Sequence, residues 1–329
     1  MQYRSVKGFK GWSQLGLLLA LFGIGIILSG LLQAIIAEYG MGIPAGASSM
    51  DAMLKPENLF FTRLIHFFNS FWVAGIPAFL YLLICHGGKG LWLGFTKQVS
   101  TPQVITGFLI IFFITIFAGT LKQWSMFLID YVPVLKAKSQ AAEKAYGDMM
   151  LAVTNLKNPT QFFISVFMVC LLPAVFEEAF FRGTVQNLLT RWWQKPIAAI
   201  LVTSFVFSLI HASYYLFFSR FILSVALGWI FYRSKNIWVP IMAHFLNNLL
   251  ALSSLFFSIQ TGKPADVNNI GVTMPWWIGL LSLALTVALC VLYDKISGKN
   301  RAAITAQENL LYEKAKPFNE FLNSEKTKW

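Results

Sequence analysis

Two carboxylates stand side by side in an otherwise apolar run, Glu177 and Glu178 in LLPAVFEEAFFRG. The other acidic residues lie in loops, in the tail or at the ends of apolar stretches. A charge at the centre of a bilayer costs about 2.5–3.5 kcal/mol even on insertion scales, so an acidic pair there marks a functional site. Like charges this close also push one carboxyl toward its protonated form. At least one of the two must therefore be paired or protonated. Glu178 and Arg182 are four residues apart and share a helical face, where they can pair; alone they would be a structural ion pair. Glu177 points about 100° away. It is the freer carboxylate, either wet or protonated and bonded to a neighbour. Pro173, four residues earlier, removes a backbone donor and can kink the helix ahead of the acids.

Downstream, FVFSLIHAS places Phe207 and His211 four apart on one helical face. VPIMAHFLNNLL places His244 and Asn248 four apart on another, with Asn247 beside them. Singly, an intramembrane His or Asn is commonly interhelical glue. Glu, His, His and Asn gathered from three helices form a set that can activate water and stabilise an oxyanion.

The elements that must position these groups follow from composition. The chain has 329 residues, 57% hydrophobic and 12% charged. A soluble domain is roughly 25% charged and 45–50% apolar, so a disordered, fibrous, disulfide-scaffold or soluble globular protein is excluded. About 20 apolar residues span the hydrocarbon as a helix, and runs near 15–37, 67–85, 104–121, 162–181, 197–211, 214–232, 237–257 and 276–293 qualify. The expected fold is an all-α polytopic membrane helical bundle with about eight transmembrane helices over 1–298, followed by a partly helical cytoplasmic tail over 299–329. The basic start is followed by an apolar run too long for a signal-peptide core, so the first span is expected to stay.

With a cytoplasmic N-terminus, the inner segments carry Arg4, Lys7, Lys10, Lys89, Lys97, Arg191, Lys195, Arg233 and Lys235. The outer loops carry only Lys55, Arg220 and Lys263, with Arg63 near the second span. That asymmetry obeys the positive-inside rule and puts both termini in the cytoplasm. The net charge of +12 is thus read as membrane orientation and contact with anionic lipid, not nucleic-acid binding. Cys85, Cys170 and Cys290 have no metal-type spacing and read as free thiols within apolar segments. Residues 58–66 read as an interfacial helix. In 136–157 the apolar positions Ala142, Ala145, Met149, Val153 and Leu156 have helical spacing, for a helix on the outer face or packed on the bundle, with substrate gating as the alternative.

Glu177-Glu178-x-x-x-Arg182, then Phe207-x-x-x-His211, then His244-x-x-x-Asn248 resembles the CAAX protease and bacteriocin-processing family of intramembrane proteases, which includes the type II CAAX prenyl endopeptidases and the Abi proteins. The likeness covers a core of about 160–258. It implies peptide-bond hydrolysis in the membrane, on a peptide or a prenylated or membrane-protein substrate; size and compactness suggest a bacterial inner (cell) membrane as the location. Glu177 would then activate water as general base, His211 would hold or deprotonate it, and His244 and Asn248 would donate to the oxyanion. Glu178, Arg182 and Phe207 would support them. A metal variant would use Glu177, His211 and His244 as ligands to zinc or another divalent ion, although no His-Glu-x-x-His is present. The metal-free route is preferred. Other classes are a proton- or cation-coupled transporter using the acidic pair as a relay, and a catalytically silent membrane scaffold. The span boundaries put Glu177 and His244 toward the cytoplasmic half but His211 toward the outer half. Either the fifth span begins later and tilts, or the fourth bends at Pro173 and the stretch after Gly183 runs along the inner surface, around a conical cavity open to the cytoplasm.

Overall fold

The computed structural model describes residues 3–44, 49–262 and 275–326, with side chains to residue 314. Lys263 and the side chains of Phe318 and Phe321 lie outside the described residues. Among those described no β-strand forms, and one bridge pairs Arg4 with Lys10. The long helices are α1 Gly11–Gly40, α2 Pro56–His86 and α3 Thr101–Asp130, then α4 Pro133–Thr154 and α5 Pro159–Trp193. They continue with α6 Pro196–Ile210, α7 Phe217–Ser234, α8 Trp238–Gln260 and α9 Trp276–Lys326.

Six of these, α1, α2, α3, α5, α8 and α9, are long and apolar enough to cross a membrane. The other two expected spans form as shorter helices. α6 is apolar but has 15 residues, or about 22 Å of rise, and α7 has 18. The polytopic helical bundle expected from the composition is what forms. Large apolar side chains such as Leu19, Ile27, Phe127, Leu128, Val291 and Leu292 stay exposed. In water they would be a liability, and against acyl chains they are the solvated surface.

Several sequence features act as expected locally. Ser100 and Gln103 form a reciprocal capping box at the start of α3. The Asn158 side chain accepts the Gln161 N–H at 3.0 Å to open α5. Residues 58–66 lead directly into the second span, within one 31-residue helix. The polar stretch over 136–157 is helical as far as Thr154, as α4, and leaves the helix before Leu156. Cys85 and Cys170 are free and buried, whereas Cys290 is half-buried.

Two apolar cores flank the acidic pair. One joins α1, α2 and α5 through Leu18, Ala78, Tyr81, Phe180 and Phe181. The other joins α3, α7, α8 and α9 through Ile110, Ile114, Ile230, Ala243 and Tyr293. Where helices cross, small residues let the backbones meet. A Cβ added at Gly25 of α1 would lie 2.2 Å from the Trp72 carbonyl oxygen of α2. Gly25→Ala must therefore part the two helices, and it is expected to cost about 1–3 kcal/mol, as overpacking does. A lowered Tm of the purified protein in detergent checks this. At the other end of the chain, Glu308 of α9 accepts from Arg191 at 2.5 Å and from Lys235 at 2.8 Å. This ties the last helix to the ends of α5 and α7.

Candidate functional site

α5 carries the acids. It has 35 residues and alternates ordinary turns with two runs of wider, π-type turns, Val166–Leu171 and Glu178–Gln186. A proline inside a helix collides with the carbonyl four residues back, and the first wide run ends just before Pro173, where it relieves that clash. The second begins at Glu178. Such runs are rare and often mark functional sites.

Here the run holds a polar ladder against α7. Arg182 Nη2 donates to Ser224 Oγ at 2.9 Å and to the Ser224 carbonyl at 3.1 Å. One turn on, Gln186 Nε2 donates to the Gly228 carbonyl at 2.9 Å. An added Cβ at Gly228 would lie 2.7 Å from Gln186 Oε1, so the Gln186 amide would have to shift.

The buried charges meet at one oxygen. Glu178 Oε1 accepts from Arg182 Nη1 at 2.8 Å and from His244 Nδ1 at 2.9 Å. Glu178 and Arg182 are both fully buried, and Glu178 Oε2 has no hydrogen-bond partner among the described residues. The Arg182 guanidinium also lies 5.0 Å from the centre of the Phe207 ring. Four helices, α5 to α8, are thus joined through one ion pair.

The histidines are held alike. His211 Nδ1 lies 2.7 Å from the Phe207 carbonyl oxygen. A carbonyl only accepts, so Nδ1 carries the proton and Nε2 keeps a lone pair. The His244 Nδ1 donates to a carboxylate, which assigns its ring the same way; that ring is 11% exposed. Phe207 therefore serves twice, with its carbonyl under His211 and its ring under Arg182.

Glu177 is half-buried and makes no hydrogen bond or ion pair with the described residues. It acts electrostatically on both His211 and Arg182, and His211 on His244. Glu177 is thus within electrostatic range of His211, and His211 of His244. Asn248, one turn beyond His244, is also half-buried and engages no described group. Its neighbour Asn247 faces another way, accepting from Thr115 Oγ1 of α3 at 2.8 Å. Ser224 was not legible from the sequence as a supporting residue, because nothing local distinguishes it from the other small residues of α7.

The helix that carries the acids continues past Phe181 to Trp193. Glu177 is then at most about 24 Å from the Trp193 end, and His211 about 22 Å from the Pro196 end of α6. α5 and α6 are joined at those ends by a short turn, so the two residues lie at similar distances from it along their helices.

Glu177, His211 and His244, the ligand set considered for zinc, do not fit a metal ion as arranged. Among the described residues no group of three or more His, Cys, Asp or Glu side chains is gathered to hold one. A cavity of about 340 Å³ lies elsewhere, between α2 and α4, lined by Lys55, Leu59, Asp148 and Lys157 among others. None of the candidate residues lines it.

Residues 159–250 match the family model described as Rce1-like, type II CAAX prenyl endopeptidase. The matched stretch runs from the start of α5 into α8 and contains all three motifs. No curated protein and no solved structure matches the chain.

Proposed function

We propose, from the match of residues 159–250 to the type II CAAX prenyl endopeptidase model, that this chain is an intramembrane endopeptidase in which Glu177 activates the attacking water. The observation that carries the reading is the shared anchoring of the imidazoles. Each is fixed through Nδ1 to an acceptor, which leaves the Nε2 of each ring without a described partner, and the unengaged Glu177 carboxylate acts electrostatically on His211. A free carboxylate can take a proton from water, and the His211 Nε2 lone pair can accept a hydrogen bond from the same water, fixing its direction of attack.

The tetrahedral intermediate needs donors. The Asn248 amide, which engages no other group among the described residues, supplies one. His244 can donate from Nε2 only when both ring nitrogens carry protons, and Glu178 Oε1 then faces the charge it would balance. Glu178 and Arg182 accordingly orient His244 and take no proton from water themselves. The substrate class is a peptide or a membrane-anchored chain, and a prenylated C-terminal peptide is the first to try. The chain is an integral membrane protein, and we place both termini on the cytoplasmic side.

The test is cleavage of a farnesylated, quenched-fluorescent CAAX peptide by the purified chain in detergent. Wild type is expected to cut it, and Glu177→Ala and His211→Ala to fall to the no-enzyme rate. A transporter or a silent scaffold would show no difference among the three.

A further inference from the structure

His211 sits where a helix has already let go. α6 ends at Ile210, and Ala212 adopts a left-handed backbone with φ of 48°. The carbonyls of a helix's last turn have no partner within the helix, and the chain beyond His211 is an irregular link to α7. A histidine there is only as well placed as whatever holds that link. Besides the Phe207 carbonyl under its ring, the described side chains that grip this link come from outside the three motifs.

The His211 carbonyl accepts from Arg220 Nη1 at 3.2 Å. The guanidinium carbon of Arg220 lies 5.3 Å from the centre of the Tyr146 ring on α4. Ser213 donates through Oγ to Glu143 Oε1, also on α4, and accepts the Leu216 N–H at 3.1 Å. The Tyr215 hydroxyl donates to Asp130 Oδ1 at the end of α3, at 2.8 Å. Glu143 is buried to 6% exposure although α4 is otherwise a polar helix.

α4 is itself fixed at its far end, where Arg63 Nε and Nη2 donate to the Val153 and Thr154 carbonyls at 2.8 and 3.0 Å. Arg220 stands in the first turn of α7, where a positive charge opposes the helix dipole. Its position is unfavourable for its own helix and is explained by what it grips.

We propose that Arg220 and Glu143 are positioning residues that hold His211 in register for hydrolysis, with α4 as the brace through which they act. The inference rests on the endopeptidase reading for its catalytic consequence, while the brace itself can be read without any turnover.

The experiment compares Arg220→Gln, Glu143→Gln and Arg220→Lys with wild type in the farnesylated-peptide assay, alongside hydrogen–deuterium exchange over residues 211–216. The two Gln variants are expected to lower kcat by up to about 10²-fold, the scale of a 1 Å misplacement, with KM unchanged and faster exchange confined to 211–216. Arg220→Lys, which keeps a charged donor, recovers most of kcat. Wild-type kcat with unmoved exchange in both Gln variants overturns the proposal. So does a loss of kcat that Lys does not recover and that accompanies a general fall in Tm. If the wild-type chain leaves the peptide uncut while Arg220→Gln still loosens 211–216, the hydrolase reading fails and the positioning of His211 stands.

Discussion

Glu177→Gln is expected to lower kcat by about 10²–10⁴-fold, the usual contribution of a positioned acid–base group, with little loss of stability. The side chain is half-buried and engages no described partner. An isosteric amide therefore breaks no hydrogen bond or ion pair and removes only a longer-range charge acting on Arg182 and His211, so Tm should fall far less than in Glu178→Gln. Glu178→Gln is the contrasting control one residue away. It removes the negative charge from a fully buried pair and leaves Arg182 uncompensated, so Tm should drop together with activity. Steady-state cleavage and thermal unfolding of both variants separate the two carboxylates. Glu177→Gln cutting at the wild-type rate would assign the base elsewhere and remove the basis for the mechanism.

The helical spacing of Glu178 and Arg182 was enough to predict their pairing, because residues four apart meet regardless of what surrounds the helix. The division of labour between the acids followed from the same geometry: Glu178 is paired and Glu177 is not. What spacing could not show is the contact between Glu178 and His244, 66 residues away, since it depends on how α5 and α8 pack. The helix of the fourth span runs further than its apolar run for a related reason. Arg182, Thr184 and Gln186 follow the end of that run at Phe181. In the folded chain their polar groups are satisfied internally, by Glu178 and Ser224, by the Phe180 carbonyl and by the Gly228 carbonyl. A polar residue ends a span only if it must find water, and hydropathy cannot tell which residues have found a partner instead. The grip of α4 on the His211 link was illegible in the same way. Its spacing announced a helix, but Glu143 and Tyr146 find their partners on α7 and the link before it.

Arg182→Met is expected to destabilise the protein by about 3–5 kcal/mol, the cost of leaving a buried charge without its partner. The guanidinium is fully buried and joins Glu178 to Ser224, so no water can take its place without opening α5 from α7. Replacing both charges, as in Glu178→Met with Arg182→Met, removes the unpaired charge, and apolar replacement of a whole buried pair is often neutral. Recovery should nonetheless be incomplete. His244 Nδ1 loses its acceptor, and a buried donor without a partner costs about 1–3 kcal/mol. Cleavage should not recover at all, because the ring loses both its orientation and the negative charge facing it; in a serine protease, altering the acceptor that orients the catalytic imidazole costs about 10⁴ in kcat. Denaturation midpoints and cleavage rates of the two single variants and the double variant form a cycle that separates these effects. Stability returning with activity still absent assigns Glu178 to the orientation of His244. A double variant that cuts as fast as wild type would reduce Glu178 and Arg182 to a structural pair and leave His244 held by something else.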